Sequence, residues 1–151
     1  MLRQAFTDRL KQAMKAREIR KVSAIRLILS GLKDRDIAAR GSGNAEGVSD
    51  AEIRRMLQAM IKQRRESITL YEQGKRADLA QREREEIAVI ESFLPTQLDQ
   101  SEIEAAVVAA IGEIGAVGMK DMGQVMGMLR ERYDGVIDFA RAGAIAKRLL
   151  G

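Results

Sequence analysis

IKQRRESITLYEQGKRADLAQREREEIAVIESFLP, Ile61 to Pro95, decides the architecture. Ile61, Ile68 and Tyr71 before the break, and Leu79, Ile87, Ile90, Phe93 and Leu94 after it, stand three, four, seven or eight residues apart. That is the repeat of a helix with one buried face. The positions between them are almost all charged or polar. Gly74 interrupts the pattern and predicts a helix stop. Pro95, the only proline, cannot donate a backbone hydrogen bond or continue a helix, so it predicts the end of the fourth helix of the chain and a boundary at residues 95–98.

Outward from this stretch nearly everything reads as helix. Upstream, Leu2, Phe6, Leu10, Ala13 and Met14 mark a first helix, and Ile19, Val22, Ile25, Leu29 and Leu32 a second that runs to about residue 39. The aperiodic segment 41–47, with three glycines, predicts a flexible loop. Ser49 followed by Glu52 predicts a capping box for a long third helix through Ile53, Met56, Leu57, Met60 and Ile61. Downstream, Asp99 with Glu102 restarts a helix holding Ile103, Val107, Ala110, Ile111 and Ile114. Gly115 and Gly118 bracket a turn, Met119 to Leu129 form a sixth helix, and Gly135 and Asp138 precede a last one ending at Leu150. The expected fold is all-α, with about four helices over residues 1–94 and a small three-helix domain over 95–151.

The chain has no histidine and no cysteine. Cys-His and Ser-His catalysis, zinc fingers, iron–sulfur clusters and haem ligation are therefore excluded. There is no Walker phosphate loop, no zincin helix and no nucleophile elbow. Glu83, Glu85 and Glu86 lie among arginines, a poor setting for a metal, so neither a metal nor a cofactor is expected. The apolar runs are too short to span a membrane, and a soluble cytoplasmic monomer is the expectation. With no Trp and few other aromatics, base-stacking recognition of single strands is disfavoured. Charge is uneven: residues 1–94 carry a net +6 and residues 95–151 a net −2.

Several constellations have a functional and a structural reading. Lys62, Arg64 and Arg65 fall within one turn, and Lys75 and Arg76 follow Gly74. Together they read as a phosphate-contacting surface, or as a solvated face laced with pairs such as Arg82–Glu86 and Glu72–Arg76. Arg26 and Lys33 stand seven apart on one side of the second helix, placed to hold phosphate or to lie over core neighbours. Gly123 and Gly127, one turn apart, predict the close approach of a neighbouring helix. Met119, Met122, Met126 and Met128 read as core filling or as an adaptable binding surface. Asp121, third in its helix after Gly118, complements the helix dipole.

The Ile61–Leu98 run, SAIRLILSGLK (Ser23–Lys33) and KDMGQVMGMLRERYDG (Lys120–Gly135) resemble the YqeY group of the GatB/YqeY family. The resemblance covers almost the whole chain and implies the same all-helical fold. It also implies a tail similar to that of the B subunit of the glutamyl-/aspartyl-tRNA amidotransferase, which helps hold tRNA while other domains do the chemistry. A non-catalytic tRNA-binding or accessory module follows as the expected function. Candidate partners are tRNA and an aminoacyl-tRNA synthetase or amidotransferase. In the tail, Arg130, Arg132, Arg141, Lys147 and Arg148 are the available hydrogen-bond donors to RNA phosphates. Where the family tends to place a basic and then a small residue after the glycine, Val136 and Ile137 follow Gly135 here. The alternatives are a carbon–nitrogen ligase with glutamine as amido-N-donor, for which the chain shows no nucleophile or ATP site, and a protein adaptor using the Met-rich tail.

Overall fold

The computed structural model describes Met1–Gly151, and its helices follow the apolar periodicity: α1 (Leu2–Lys15), α2 (Ile19–Gly41), α3 (Asp50–Gln73), α4 (Ala77–Glu91), α5 (Gln100–Ile114), α6 (Met122–Arg132) and α7 (Phe139–Leu150). There is no strand. Contacts divide the chain into two units, Met1–Leu94 and Pro95–Gly151.

In the first unit α3 lies along α4, α1 packs on α2, and α2 packs on α4. Phe6, Ile25, Ile28, Ile53, Met56, Leu57 and Ile90 are completely or almost completely buried in its core. Each such side chain contributes roughly 1.5–3 kcal/mol by leaving water. Phe6 meets Phe93 edge to face, with ring centroids 4.8 Å apart and planes at 78°. The second unit packs α5, α6 and α7 around Ile103, Val107, Val125, Leu129, Ile137, Ala142 and Ala146. Ile137, one of the two departures from the family pattern, is fully buried there. The Leu98 N–H donates to the Val136 carbonyl at 2.8 Å and ties the start of this unit to the turn before α7.

Helix ends account for most differences from the sequence expectations. The left-handed residue after α3 is Lys75 (φ 57°), while Gly74 keeps φ −83°. The Arg76 N–H donates to the Tyr71 carbonyl at 2.8 Å and the Lys75 N–H to Glu72 at 3.1 Å, a Schellman ending with lysine in the seat usually held by glycine. Arg17 (φ 56°) ends α1 in the same way. Helix α4 stops at Glu91, short of Phe93 and Leu94, because the residue before a proline is driven out of the helical region and the last turn tightens. At α3 the Glu52 N–H donates to Ser49 Oγ at 3.2 Å, but the Glu52 carboxylate takes the Ser49 hydroxyl, so only half of the expected box forms. The box at Asp99–Glu102 forms in full. The sixth helix starts as a 3-10 turn, Met119–Asp121, in which the Asp121 carboxylate accepts the N–H of Val117 at 2.9 Å. Gly123 and Gly127 are corrected: a Cβ on either would meet nothing within 4 Å, so no neighbouring helix approaches them. Met122, Met126 and Met128 lie half-buried against the second core, and Met119 is exposed.

Candidate nucleic-acid interface

The charged run Ile61–Pro95 is consumed largely by ion pairs between helices rather than within them. Arg64 projects from α3 toward α4, where its Nε lies 3.0 Å from Glu86 and 3.7 Å from Glu83. Its side chain is only 12 % exposed, so it braces the helix pair and is not open to a phosphate. Burial, with Glu86 close by, raises the Glu83 carboxyl above its ordinary range against the pull of Arg64. Arg65 reaches Glu91 at 3.4 Å, Arg84 pairs with Glu72, and Arg20 meets Glu85 at 3.1 Å. The i,i+4 partners expected for Arg82–Glu86 and Glu72–Arg76 are taken by these cross-helix contacts and by Arg76–Asp78 at 3.0 Å. Sequence spacing within one helix cannot reveal a pair formed between two.

The predicted phosphate contacts therefore separate into three sets. Arg64, Arg65, Arg76, Arg132, Arg141 and Arg148 face carboxylates, the last three through Glu113, Asp138 and Glu104. Arg130 lies over the Phe139 ring, 5.4 Å from its centroid. Arg26, Lys33, Lys62, Lys75 and Lys147 are exposed and have no carboxylate within 4.0 Å. The structure thus does not present Lys62, Arg64 and Arg65 as one free triad; Lys62 alone is free.

Helix α2 places Arg26 and Lys33 for a reason visible in its burial pattern. The buried set is Ala24, Ile25, Ile28, Leu32 and Asp36, whereas Ile19, expected inside, is 79 % exposed. At 100° per residue, Ile19, Arg26, Ser30, Lys33 and Ile37 fall within an arc of roughly 60° on the side away from that set. The two cations stand on this outer face about 10 Å apart along the axis.

Asp36 escaped sequence reading, although it stands one turn beyond Leu32 on the buried face. Arg3 grips it in a fork, Nη1 to Oδ2 at 2.6 Å and Nη2 to Oδ1 at 2.8 Å, and the Val48 N–H donates to Oδ1 at 3.0 Å. Arg3 also donates to the Val48 carbonyl at 2.8 Å. The guanidinium holds the Asp36 carboxyl down at about 2. This node joins α1, α2 and the 41–49 loop, and gives the segment expected to be flexible a fixed attachment. It leaves no free charge for a ligand. No group of three or more acidic side chains is placed to hold a metal ion, and no helix is long and apolar enough to cross a membrane.

The chain is similar to three fungal proteins named altered inheritance of mitochondria protein 41, mitochondrial. The protein from Lachancea thermotolerans is 32 % identical over 108 residues, 70 % of this chain and 55 % of the relative. That of Saccharomyces cerevisiae (strain S288c) is 32 % identical over 95 residues, 63 % of this chain and 49 % of the relative. That of Candida glabrata is 34 % identical over 85 residues, 56 % of this chain and 45 % of the relative. The chain thus spans about half the length of these relatives. A family model described as Yqey-like protein matches residues 3–150, and with that coverage, on an all-helical fold, the chain belongs to the YqeY family.

Proposed function

We propose that this chain is a tRNA-binding accessory module, without catalysis of its own, that works as a monomer beside an aminoacyl-tRNA amidotransferase or synthetase. One observation carries the reading. After every ion pair is assigned, the first unit still displays Arg26, Lys33, Lys62 and Lys75 free of carboxylates, on a unit of net charge +6. Cations that are not already paired release bound counterions from a polyanion and so drive its binding. The tail, with net charge −2 and most of its arginines paired, is assigned a lesser share through Arg130 and Lys147. Contacts confined to phosphates fit a folded RNA read by shape, since Phe6 and Phe93 are buried and unavailable for stacking. Cytoplasm and mitochondria both hold tRNA. We place this chain in the cytoplasm, while its named relatives are mitochondrial.

The test is a fluorescence titration of the full chain with deacylated tRNA, misacylated tRNA and a plain RNA duplex. Tighter binding to tRNA than to the duplex, weakened about tenfold or more by K33E/K62E, supports the reading. Equal weak binding to all three RNAs, or tRNA binding indifferent to K33E/K62E, refutes it.

A further inference from the structure

The corner between α1 and α2 opens into a cleft of about 620 Å³ lined by Met14, Arg17, Ile19, Val22, Ser23, Arg26 and Leu27. Three of these are large apolar side chains left in water: Ile19 is 79 % exposed, Met14 50 % and Leu27 45 %. Scattered exposed aliphatics are ordinary, but a cluster around one depression marks a binding surface. The rim is cationic. Arg17 and Arg26 have no carboxylate within 4.0 Å, and Glu18, next to Arg17 in the chain, is taken by Lys21 at 2.6 Å. Arg17 also holds a left-handed backbone (φ 56°) in the seat usually given to glycine, at a cost of roughly 1–2 kcal/mol. Glycine would relieve that strain and lose the rim charge.

From this juxtaposition we infer that the α1–α2 cleft is a docking site for an acidic amphipathic helix of a partner protein. Apolar side chains at i, i+3 or i+4, and i+7 of that helix cover Met14, Ile19 and Leu27, and carboxylates on its flanks meet Arg17 and Arg26. RNA fits the cleft less well, since its three exposed aliphatics gain nothing from phosphates and no aromatic ring faces the site. The inference does not rest on the RNA reading, although Arg26 lies on both surfaces.

The probe is a phage-displayed library of 14-residue helical peptides with leucine fixed at i, i+3, i+4 and i+7 and the remaining positions drawn from Glu, Lys, Gln, Ala and Ser. Selection on the full chain is expected to enrich net-negative peptides. In a polarisation titration the best of them is expected to bind about tenfold or more weakly to I19Q/L27Q and several-fold more weakly to R17A. Both glutamine positions are exposed, and an unchanged thermal melt confirms that the fold is kept. Enrichment of neutral or basic peptides, no enrichment, or equal binding to I19Q/L27Q overturns the inference. Lower tRNA affinity of I19Q/L27Q with no peptide enriched overturns it too and assigns the cleft to RNA.

Discussion

Gly47 stands where the 41–49 loop presses on the Arg3–Asp36 pair. A Cβ there would lie 2.4 Å from Asp36 Oδ1, and the backbone is left-handed at φ 85°. We therefore expect Gly47→Ala to cost at least about 2 kcal/mol in urea unfolding, since both the clash and the strain must be absorbed. Asp36 itself makes stability depend on pH. Its folded carboxyl titrates at about 2, below the ordinary 3.8. Its contribution, on the order of 2 kcal/mol, is complete above about pH 4 and is lost as the pH falls from there toward 2. Unfolding free energy measured across that window is expected to lose this component of its decline in Asp36→Asn; an unchanged profile would remove Asp36 as its source. Lys75→Gly is the opposite case: releasing the left-handed strain is expected to stabilise by up to about 1 kcal/mol.

At the scale of elements, the α3–α4 pair is held by apolar faces and by Arg64 between Glu83 and Glu86. Removing that cation leaves two half-buried carboxylates facing each other. Arg64→Leu is expected to destabilise by about 2–3 kcal/mol, with partial recovery in Arg64→Leu/Glu83→Gln, as a double-mutant cycle in urea would read out. Helix α6 offers the reverse experiment. Gly123 and Gly127 have open space at Cβ, so alanine at either should raise the melting temperature through roughly 0.5–1 kcal/mol of helix propensity. The elements were largely legible in the sequence because three- and four-residue spacing, Ser49, Asp99 and Pro95 are local signals. What was not legible depends on packing between elements. Arg64 looked like surface charge until α4 supplied its partners, Gly123 and Gly127 looked like a contact that never forms, and Lys75 took a turn position that glycine chemistry assigned to its neighbour. Asp36 stood in plain view on the buried face, but its partner lies 33 residues away.

For the whole molecule, the all-helical class and the YqeY membership were both readable, because periodicity sets the one and the wording of three long segments the other. The candidate interface was only partly readable, since charge counts do not say which cations are already neutralised. That sorting is what the structure adds, and it narrows twelve predicted contacts to five free ones, on α2, on α3, just past its end and on α7. We propose that these free cations, and not the paired ones, meet RNA phosphates. The most direct measurement is the slope of log affinity for tRNA against log salt for the wild-type chain, for K33A/K62A/K75A and for R65A/R76A/R148A. The first variant is expected to lose roughly two to three units of slope, close to one per phosphate contact removed, while the second keeps nearly the full slope. Equal losses in the two variants, or no loss in the first, would contradict it.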